Sequence, residues 1–391
     1  MSIAHPMDTI VITGRGMVSS LGHDVVTGCA AARAGIVRAE QLDYPVRSPE
    51  DGEIENAIGH PVPLLTEGFE GPARLLRLVQ AGLADLQKQA AGLPWLSFRV
   101  RCYLSLPNPL RPHTGIPLDM EEKDRQAQIE ESQEAEKEPP NADLAQRILQ
   151  EAARLSGWQG DLPLLQFVTT SGNPGVAEAL GRAIEDLSQG KIDLALIGGI
   201  DSLLDEDTLA WLESRGRFKT PSTPSGLQPG EAGAFLLVET LQSARARGAH
   251  ALAVVQKICL TQDAGTLLTG EPPLGAGLAE ALIGLTESAD WDKAQQTVWL
   301  ITDQNGESYR AIEWGNALIR LRARSSVFAN PLLWYPAASF GDTGAASGAV
   351  AICMATGAFV RNYAPAPKVI VTSSSEGPLR AAILLAAYST K

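Results

Sequence analysis

The sequence predicts a layered α/β fold, and three observations carry that reading. Short apolar runs alternate with amphipathic stretches of helical spacing along nearly the whole chain. The same alternation resumes in the second half, beyond about residue 250. Gly and Ala are abundant while aromatic residues make up only 5%. Small residues at that level suit closely packed helices and tight turns better than an aromatic-lined β-barrel. Strands alternating with helices imply mainly parallel or mixed sheets covered by helices.

In order, residues 9–13 (TIVIT) read as a buried strand and 23–34 as a helix. Residues 98–106 and 164–169 read as strands, 174–188 as a helix, 193–199 as a fully buried strand and 234–239 as another. In the second half, strands are expected at 251–261, 298–302 and 368–373, with helices at 275–286, 309–322 and 344–357. No short-period repeat is present. The expected division is an N-terminal half at 1–245, with an acidic insertion at about 107–142, and a C-terminal half at 246–391.

The chain has 391 residues, 45% hydrophobic and 20% charged, which fits a soluble globular protein with a sizeable core. Its net charge of −13 argues against nucleic acid and against anionic membranes as partners. No apolar stretch reaches the roughly 18 residues that a bilayer crossing needs. The first eight residues lack a basic region followed by an apolar one, so no secretory signal is expected and a cytoplasmic location is. Cys29, Cys102, Cys259 and Cys353 form no CxxC pair and have no histidine at metal-ligand spacing. Buried free thiols are expected, with no metal site and no cofactor.

Residues 119–138 break the pattern, with nine acids against Lys123, Arg125 and Lys137. Proline-containing turns flank the segment. It reads as a solvated helix or an excursion with few apolar anchors, mainly Met120 and Ile129, and so of little weight in stability. Its functional reading is an acidic docking surface for a basic protein partner.

Four motifs then follow one another. Residues 11–35 begin VITGRGMVSSLG, residues 190–202 read GKIDLALIGGIDS, residues 226–239 read GLQPGEAGAFLLVE and residues 341–350 read GDTGAASGAV. In that order they resemble the TGxGxVSxLG, GxADxxxxGGxE, GFVxGEGAGxLVLE and GHxxGAAGAV segments of β-ketoacyl-acyl-carrier-protein synthases. Gly14 and Gly16 are expected to allow a tight turn after the first strand. The resemblance covers most of residues 9–375, while 40–160 matches poorly. It implies the thiolase-like fold: two duplicated α/β halves in a layered αβαβα arrangement. It also implies a homodimer, or a heterodimer with a related synthase.

The family's decarboxylating chemistry needs a thiolate at a helix N-terminus and two imidazoles. Counting back from 190 without a gap puts Asn173 in the nucleophile slot, followed by Pro174; such a pair reads as an ordinary helix start with Asn as cap. Ser171 lies two residues away. After the strand at 298–302 the chain reads Asp303, Gln304, Asn305, Gly306, Glu307, where the family has AHGTxT, so Asn305 takes the first histidine slot. Asp342 takes the second, 37 residues on, and Ala337 takes the lysine slot five residues before it. The gating Phe-Gly-Phe-Gly loop becomes Ser374, Ser375, Glu376 and Gly377. Independently of alignment, the histidines are His5, His23, His60, His113 and His250, so none follows residue 250, where both imidazoles belong. No cysteine lies between Cys102 and Cys259.

The resemblance is therefore to a family of acyltransferases, yet the residues lean against enzymatic activity. A non-catalytic binding, adaptor or assembly protein is expected. Alternatives are a chain-length-factor-like partner subunit of a ketoacyl or polyketide synthase, and an acyl-thioester enzyme with altered chemistry. For the last, Asp303, Glu307 and Asp342 would meet near the old pocket and bind a cation or act as an acid–base pair. Asp342 equally reads as a cap for the helix from Gly344. Ser374 and Glu376 complete the candidate pocket, where two carboxylates would disfavour a fatty chain.

Overall fold

The computed structural model describes residues 9–47, 52–93, 95–158, 161, 164–220, 223–287 and 298–388. The N-terminal stretch read above for a secretory signal lies outside them.

The first half runs β1 (Ile10–Ser19), α1 (Val25–Arg33), β2 (Glu40–Arg47), β3 (Ile54–Gly59), α2 (Gly71–Gln89), β4 (Val100–Ser105), α3 (Glu122–Lys137), α4 (Ala142–Leu155), β5 (Leu164–Thr169), α5 (Gly175–Ser188), β6 (Leu194–Ser202), α6 (Glu206–Ser214), β7 (Glu231–Thr240) and α7 (Leu241–Ala246). The second runs β8 (Ala253–Gln262), α8 (Ala276–Thr286), β9 (Trp299–Thr302), α9 (Ser308–Arg324), β10 (Leu332–Trp334), α10 (Ala337–Phe340), α11 (Ser347–Val360), β11 (Lys368–Ser374) and β12 (Leu379–Ala387).

The sheet order exposes the duplication. It reads β10-β9-β11-β12-β8-β1-β7-β6-β4-β5, with β2 and β3 apart as a hairpin. Within each half the third strand is outermost, followed inward by the second, fourth, fifth and first. In both halves the fifth strand, β7 or β12, is antiparallel to its neighbours. The other pairings are parallel in both. The halves join where β1 and β8 pair at Ile10–Val255, Val11–Val254 and Ile12–Ala253.

Strand alternation builds the layers. On β7, Ala232, Ala234, Leu236 and Val238 enter the central core, while Phe235 and Leu237 enter an outer core under α2 and α4. On β12, Ala381, Ile383 and Leu385 face the central core, and Ala382 and Leu384 face a second outer core under α8 and α9. Strands buried on both faces read as continuous apolar runs for this reason. The two innermost helices, α5 and α11, fill the central layer; α11 is buried on nearly every side. The layering is αβαβα.

Several expectations need correction. Gly14 and Gly16 make no turn, because β1 continues to Ser19 with a register shift between Ile12 and Gly14. Gly16 is needed for closeness instead: a Cβ there would fall 2.3 Å from the Leu86 backbone nitrogen of α2. The first helix starts at Val25, capped by Asp24, not at His23, which contacts the Pro63 carbonyl. The long helices α2 and α4 and the buried strand β12 were not expected at all. Residues 119–138 are neither fully solvated nor an excursion, since α3 buries Ser132 and Ala135. Its apolar side chains nevertheless join none of the core clusters among the described residues. All four cysteines are free, with Cys29, Cys102 and Cys353 buried.

Candidate functional site

The site lies at one end of the central layer, where the loop leading into α5, the turns after β9 and β11 and the start of the α11 segment converge. Asn173 is 6% exposed. It does not cap α5: the cap position is Pro174 and no side chain caps that helix. The Asn173 Nδ2 instead donates to Asp303 Oδ2 at 3.1 Å, across 130 residues of sequence. Sequence proximity to proline suggested a local role, and tertiary packing overrides it.

Asp303 Oδ2 is a shared acceptor. Arg310 Nη1 donates to it at 2.9 Å and the Ser374 backbone N–H at 2.8 Å. Arg310 Nη1 also reaches the Ser374 carbonyl, while Ser374 Oγ donates to Glu313 Oε2 at 2.7 Å. Glu313 in turn holds Arg380 at 2.5 Å. Burial pushes the Asp303 carboxyl upward, and Arg310 pulls it back without fully compensating.

A second chain of contacts runs beside the first. Asn305 Nδ2 donates to both Asp342 Oδ2 and Glu307 Oε2, each at 2.7 Å. Arg217 clamps Glu307 with two bonds, at 2.7 and 2.9 Å, and donates to Glu376 at 2.5 Å. Its guanidinium lies 4.7 Å from the Trp211 ring centroid. Burial alone would raise the Glu307 carboxyl, but Arg217 overcomes it and holds the group below its ordinary range. Asp342 Oδ1 accepts from the Gly344 N–H at 2.8 Å, the capping role left open above, while its other oxygen takes Asn305. Glu376, expected to add a charge to the cavity, lines it but is paired with Arg217.

Ser171 bonds Thr169 and lines a cavity of about 50 Å³ with Asn173, Asp342 and Glu376. Ala337 opens α10 and lies in a small cleft beside Asp303 and Asp342. All nine candidate positions therefore converge. The partners that sequence reasoning missed are Arg217, Arg310, Glu313, Arg380 and Glu136. On α9 a signal existed in principle, because Arg310, Glu313, Ala317 and Leu321 form one buried stripe at helical spacing. Its first two positions are charged, so hydrophobic periodicity passes over them. Nothing local marks Arg217 or Arg380.

The arrangement has chemical consequences. An oxyanion stabiliser must offer free donors where charge develops. Both hydrogens of Asn305 Nδ2 have carboxylate acceptors, and Arg310 Nη1 is shared between Asp303 and Ser374. Asp303, Glu307, Glu313 and Glu376 are taken up by arginines and Asp342 by Asn305 and the Gly344 N–H, and among the described residues no group of three or more His, Cys, Asp or Glu is placed to hold a metal ion. A second cavity of about 250 Å³ adjoins the first, with Asn108, Arg111 and Thr170 in both walls; Leu106, Leu144 and Val168 give it an apolar lining.

No protein-family model matches the chain. By structure it superposes on one chain of a complex described as a type II polyketide synthase acyl-carrier protein with its ketosynthase bound to the hexaketide, with TM-score 0.72, 15% identity and coverage of 98% of this chain and 100% of that one. The ishigamide ketosynthase/chain length factor gives 0.69, 19%, 98% and 100%. A β-ketoacyl synthase from Burkholderia phymatum gives 0.69, 17%, 98% and 100%. By sequence, the tetracenomycin polyketide synthase ketoacyl synthase alpha subunit of Streptomyces glaucescens is 28% identical over 154 residues, covering 36% of this chain and 35% of that one. The 3-oxoacyl-[acyl-carrier-protein] synthase 2 of Mycobacterium bovis is 31% identical over 109 residues, covering 25% and 26%. The chain thus aligns with about a third or less of the length of these curated relatives. The chain has the thiolase-like fold of the β-ketoacyl synthase type. Among the described residues no helix is long and apolar enough to cross a membrane.

Proposed function

We propose that this chain is a non-catalytic member of the condensing-enzyme fold that works as a binding, adaptor or assembly protein. The observation that carries the reading is the Asn173–Asp303–Arg310 linkage. A condensing site needs a nucleophile there, poised toward substrate; here an amide is tied inward to an arginine-neutralised carboxylate. Asn305 and Asp342, in the two histidine slots, bond each other and neither can act as an imidazole.

The test is incubation with acyl and malonyl carrier-protein substrates, followed by intact-mass and product analysis. No acyl-protein adduct and no ketoacyl product are expected. Clear turnover that disappears in Asn173→Ala would refute the reading.

A second reading, a chain-length-factor-like partner subunit, is favoured by one observation. The apolar cavity beside the Asn173 cavity borders Val168 of the edge strand β5. A partner subunit that shapes an acyl chain would keep such a space, and one structural neighbour is described as a ketosynthase/chain length factor. Native mass spectrometry of complexes isolated from the source cell separates the readings. Co-purification of an active synthase and a carrier protein would favour the second.

A further inference from the structure

We propose that α3 is a proton-dependent lid over the cavity beside Asn173, seated while Glu136 is protonated and released when it ionises. The proposal stands apart from the functional reading above, since it concerns access to the cavity and not what happens there.

The geometry comes first. Glu136, in the last turn of α3, lines the cavity together with Asn173, Ser375, Glu376 and Gly377. Its carboxyl occupies space that only glycine leaves free, because a Cβ at Gly377 would fall 1.7 Å from Glu136 Oε1. Among the described residues, the Glu136 carboxyl is in no ion pair or side-chain hydrogen bond, although the site around it is dense with both. The Ser375 hydroxyl beside it is buried and also lacks a partner.

The charged groups facing Glu136 come from every element around it. Glu376 lies on the same loop as Gly377, Arg380 on β12, Lys137 on α3 itself, and Arg111 and Asp342 in the cavity wall. The buried cations are already committed: Arg380 to Glu313 and the Gly377 carbonyl, Arg217 to Glu307 and Glu376, Arg111 to Asp201. An ionised Glu136 would therefore sit half-buried beside a second carboxylate with no cation assigned to it. Burial first, then Glu376, push its carboxyl up to about 7.

The seat is weak enough to open locally. Apart from this carboxyl, α3 is held to the body by polar contacts: Ser132 Oγ accepts from the Gly115 N–H at 2.9 Å, Gln128 donates to the His113 carbonyl at 3.1 Å and Asn108 to the Ala135 carbonyl at 3.4 Å. Its side chains join no apolar core cluster. Elements with few buried apolar contacts open at low free energy.

The sign follows from linkage. The seated carboxyl titrates above its ordinary 4.5, so the seat is unpenalised below that value. It weakens as pH rises from 4.5 toward 7 and stays weakened above. A shift between those values corresponds to a change of about 300-fold in the seated-to-released ratio.

Hydrogen exchange with mass spectrometry on the full chain tests this, from about pH 5 to pH 8, corrected for intrinsic exchange, with α2 peptides as internal reference. Protection of α3 peptides should fall by about 70-fold across that range, the part of the full change that lies between pH 5 and pH 8, while α2 is unchanged. Glu136→Gln should hold low-pH protection throughout. Gly377→Ala, which displaces the carboxyl, should leave α3 poorly protected at every pH. Protection in α3 that varies by less than about threefold would overturn the lid, given the expected change. So would wild-type pH dependence in Glu136→Gln. Parallel loss in α2 would also overturn it, because the opening would then be global.

Discussion

The side-chain nitrogen of Asn173 lies 3.1 Å from Asp303 Oδ2, the same oxygen that Arg310 and the Ser374 backbone hold at 2.9 and 2.8 Å. On the function proposed above, the position that would carry the acyl chain in a condensing enzyme is here a structural tie between the loop before α5 and the turn after β9. Restoring the thiol alone should therefore not restore chemistry. In Asn173→Cys, a nearby carboxylate and a site without imidazoles disfavour the thiolate. We expect slow alkylation by iodoacetamide at neutral pH and no acyl adduct from acyl carrier protein, read by intact mass. Rapid stoichiometric acylation would show that the surrounding site still activates a nucleophile.

Arg217 joins Glu307 and Glu376, and its side chain is 4% exposed. Removing it leaves Glu376 without its cation and the buried Glu307 with only Arg310, 3.8 Å away. Arg217→Met should lose about 3–5 kcal/mol in urea unfolding, in line with breaking one partner of a buried pair. Arg217→Met combined with Glu307→Gln should lose less than the sum of the single changes, because the stranded charge is gone. An additive double mutant would mean that the two side chains are energetically independent despite their contact.

The same pair sets an acid limb. Glu307 titrates below its ordinary 4.5, so the stability it contributes is present above that value and lost as pH falls through its folded pKa. The stability gap between wild type and Glu307→Gln should therefore be full near neutrality and close as pH falls below about 4.5. A gap that widens on acidification would contradict the assignment of burial as outweighed at Glu307, chiefly by Arg217.

Much of the fold was legible, for a physical reason. Strands such as β6 and β7 are buried on both faces, so their sequences are uninterrupted apolar runs that locate themselves. The glycine and small-residue motifs lie where helices and strands approach closely, as at Gly16 against α2. The candidate positions Asn173, Asn305 and Asp342 followed from spacing to those motifs. The charged partners did not. Arg217 and Arg380 reach the site from elements whose local sequence says nothing about it, and buried charge has no periodic signature. The helix α3 was visible as acidic sequence, but the single inward carboxyl of Glu136 looks like its eight acidic neighbours between 119 and 138.

The edge strand β5 bears Leu164, which is 46% exposed, with Leu165, Phe167 and Val168 half-buried. An apolar edge strand invites pairing with another chain, and on β5 the Leu165 N–H is bonded to the Gln146 side chain at 2.7 Å. Dimerisation through β5 is expected, as a homodimer or with a related chain. Light scattering at micromolar concentration should report a dimer, and Phe167→Glu should shift it toward monomer. A monomer at that concentration with no partner present would count against this.

Deleting residues 119–138 should lower the melting temperature by no more than about 2–4 °C, the shift for roughly 1 kcal/mol in a large domain. The segment buries Ser132 and Ala135 but adds nothing to the apolar cores. Calorimetry on the deletion variant measures this directly. A much larger loss would show that the polar seat of α3 is coupled to the fold beneath it.

The last expectation concerns acyl ligands, and it bears most directly on what the cavities do. Near Asn173 the space is small, about 50 Å³, and its walls include Asp342, Glu136 and Glu376. A fatty chain entering there would have to desolvate these groups or displace their partners, at several kcal/mol for any charge left unpaired. Pro378 also stiffens the loop that a ligand would have to push aside. The apolar cavity next door is larger, about 250 Å³, but it is divided from the first by Asn108, Arg111 and Thr170. Arg111 in that wall is locked to Asp201 by two bonds, at 2.6 and 3.3 Å. Opening a path would break a buried ion pair, which opposes passage more strongly than steric closure alone. Isothermal titration with acyl-pantetheine ligands should therefore show no binding tighter than about 100 µM, roughly −5.5 kcal/mol. Sub-micromolar binding of an eight-carbon or longer acyl ligand, abolished when Asp342 or Ser374 is replaced by a bulky residue, would establish a lipid-handling role and displace the scaffold reading.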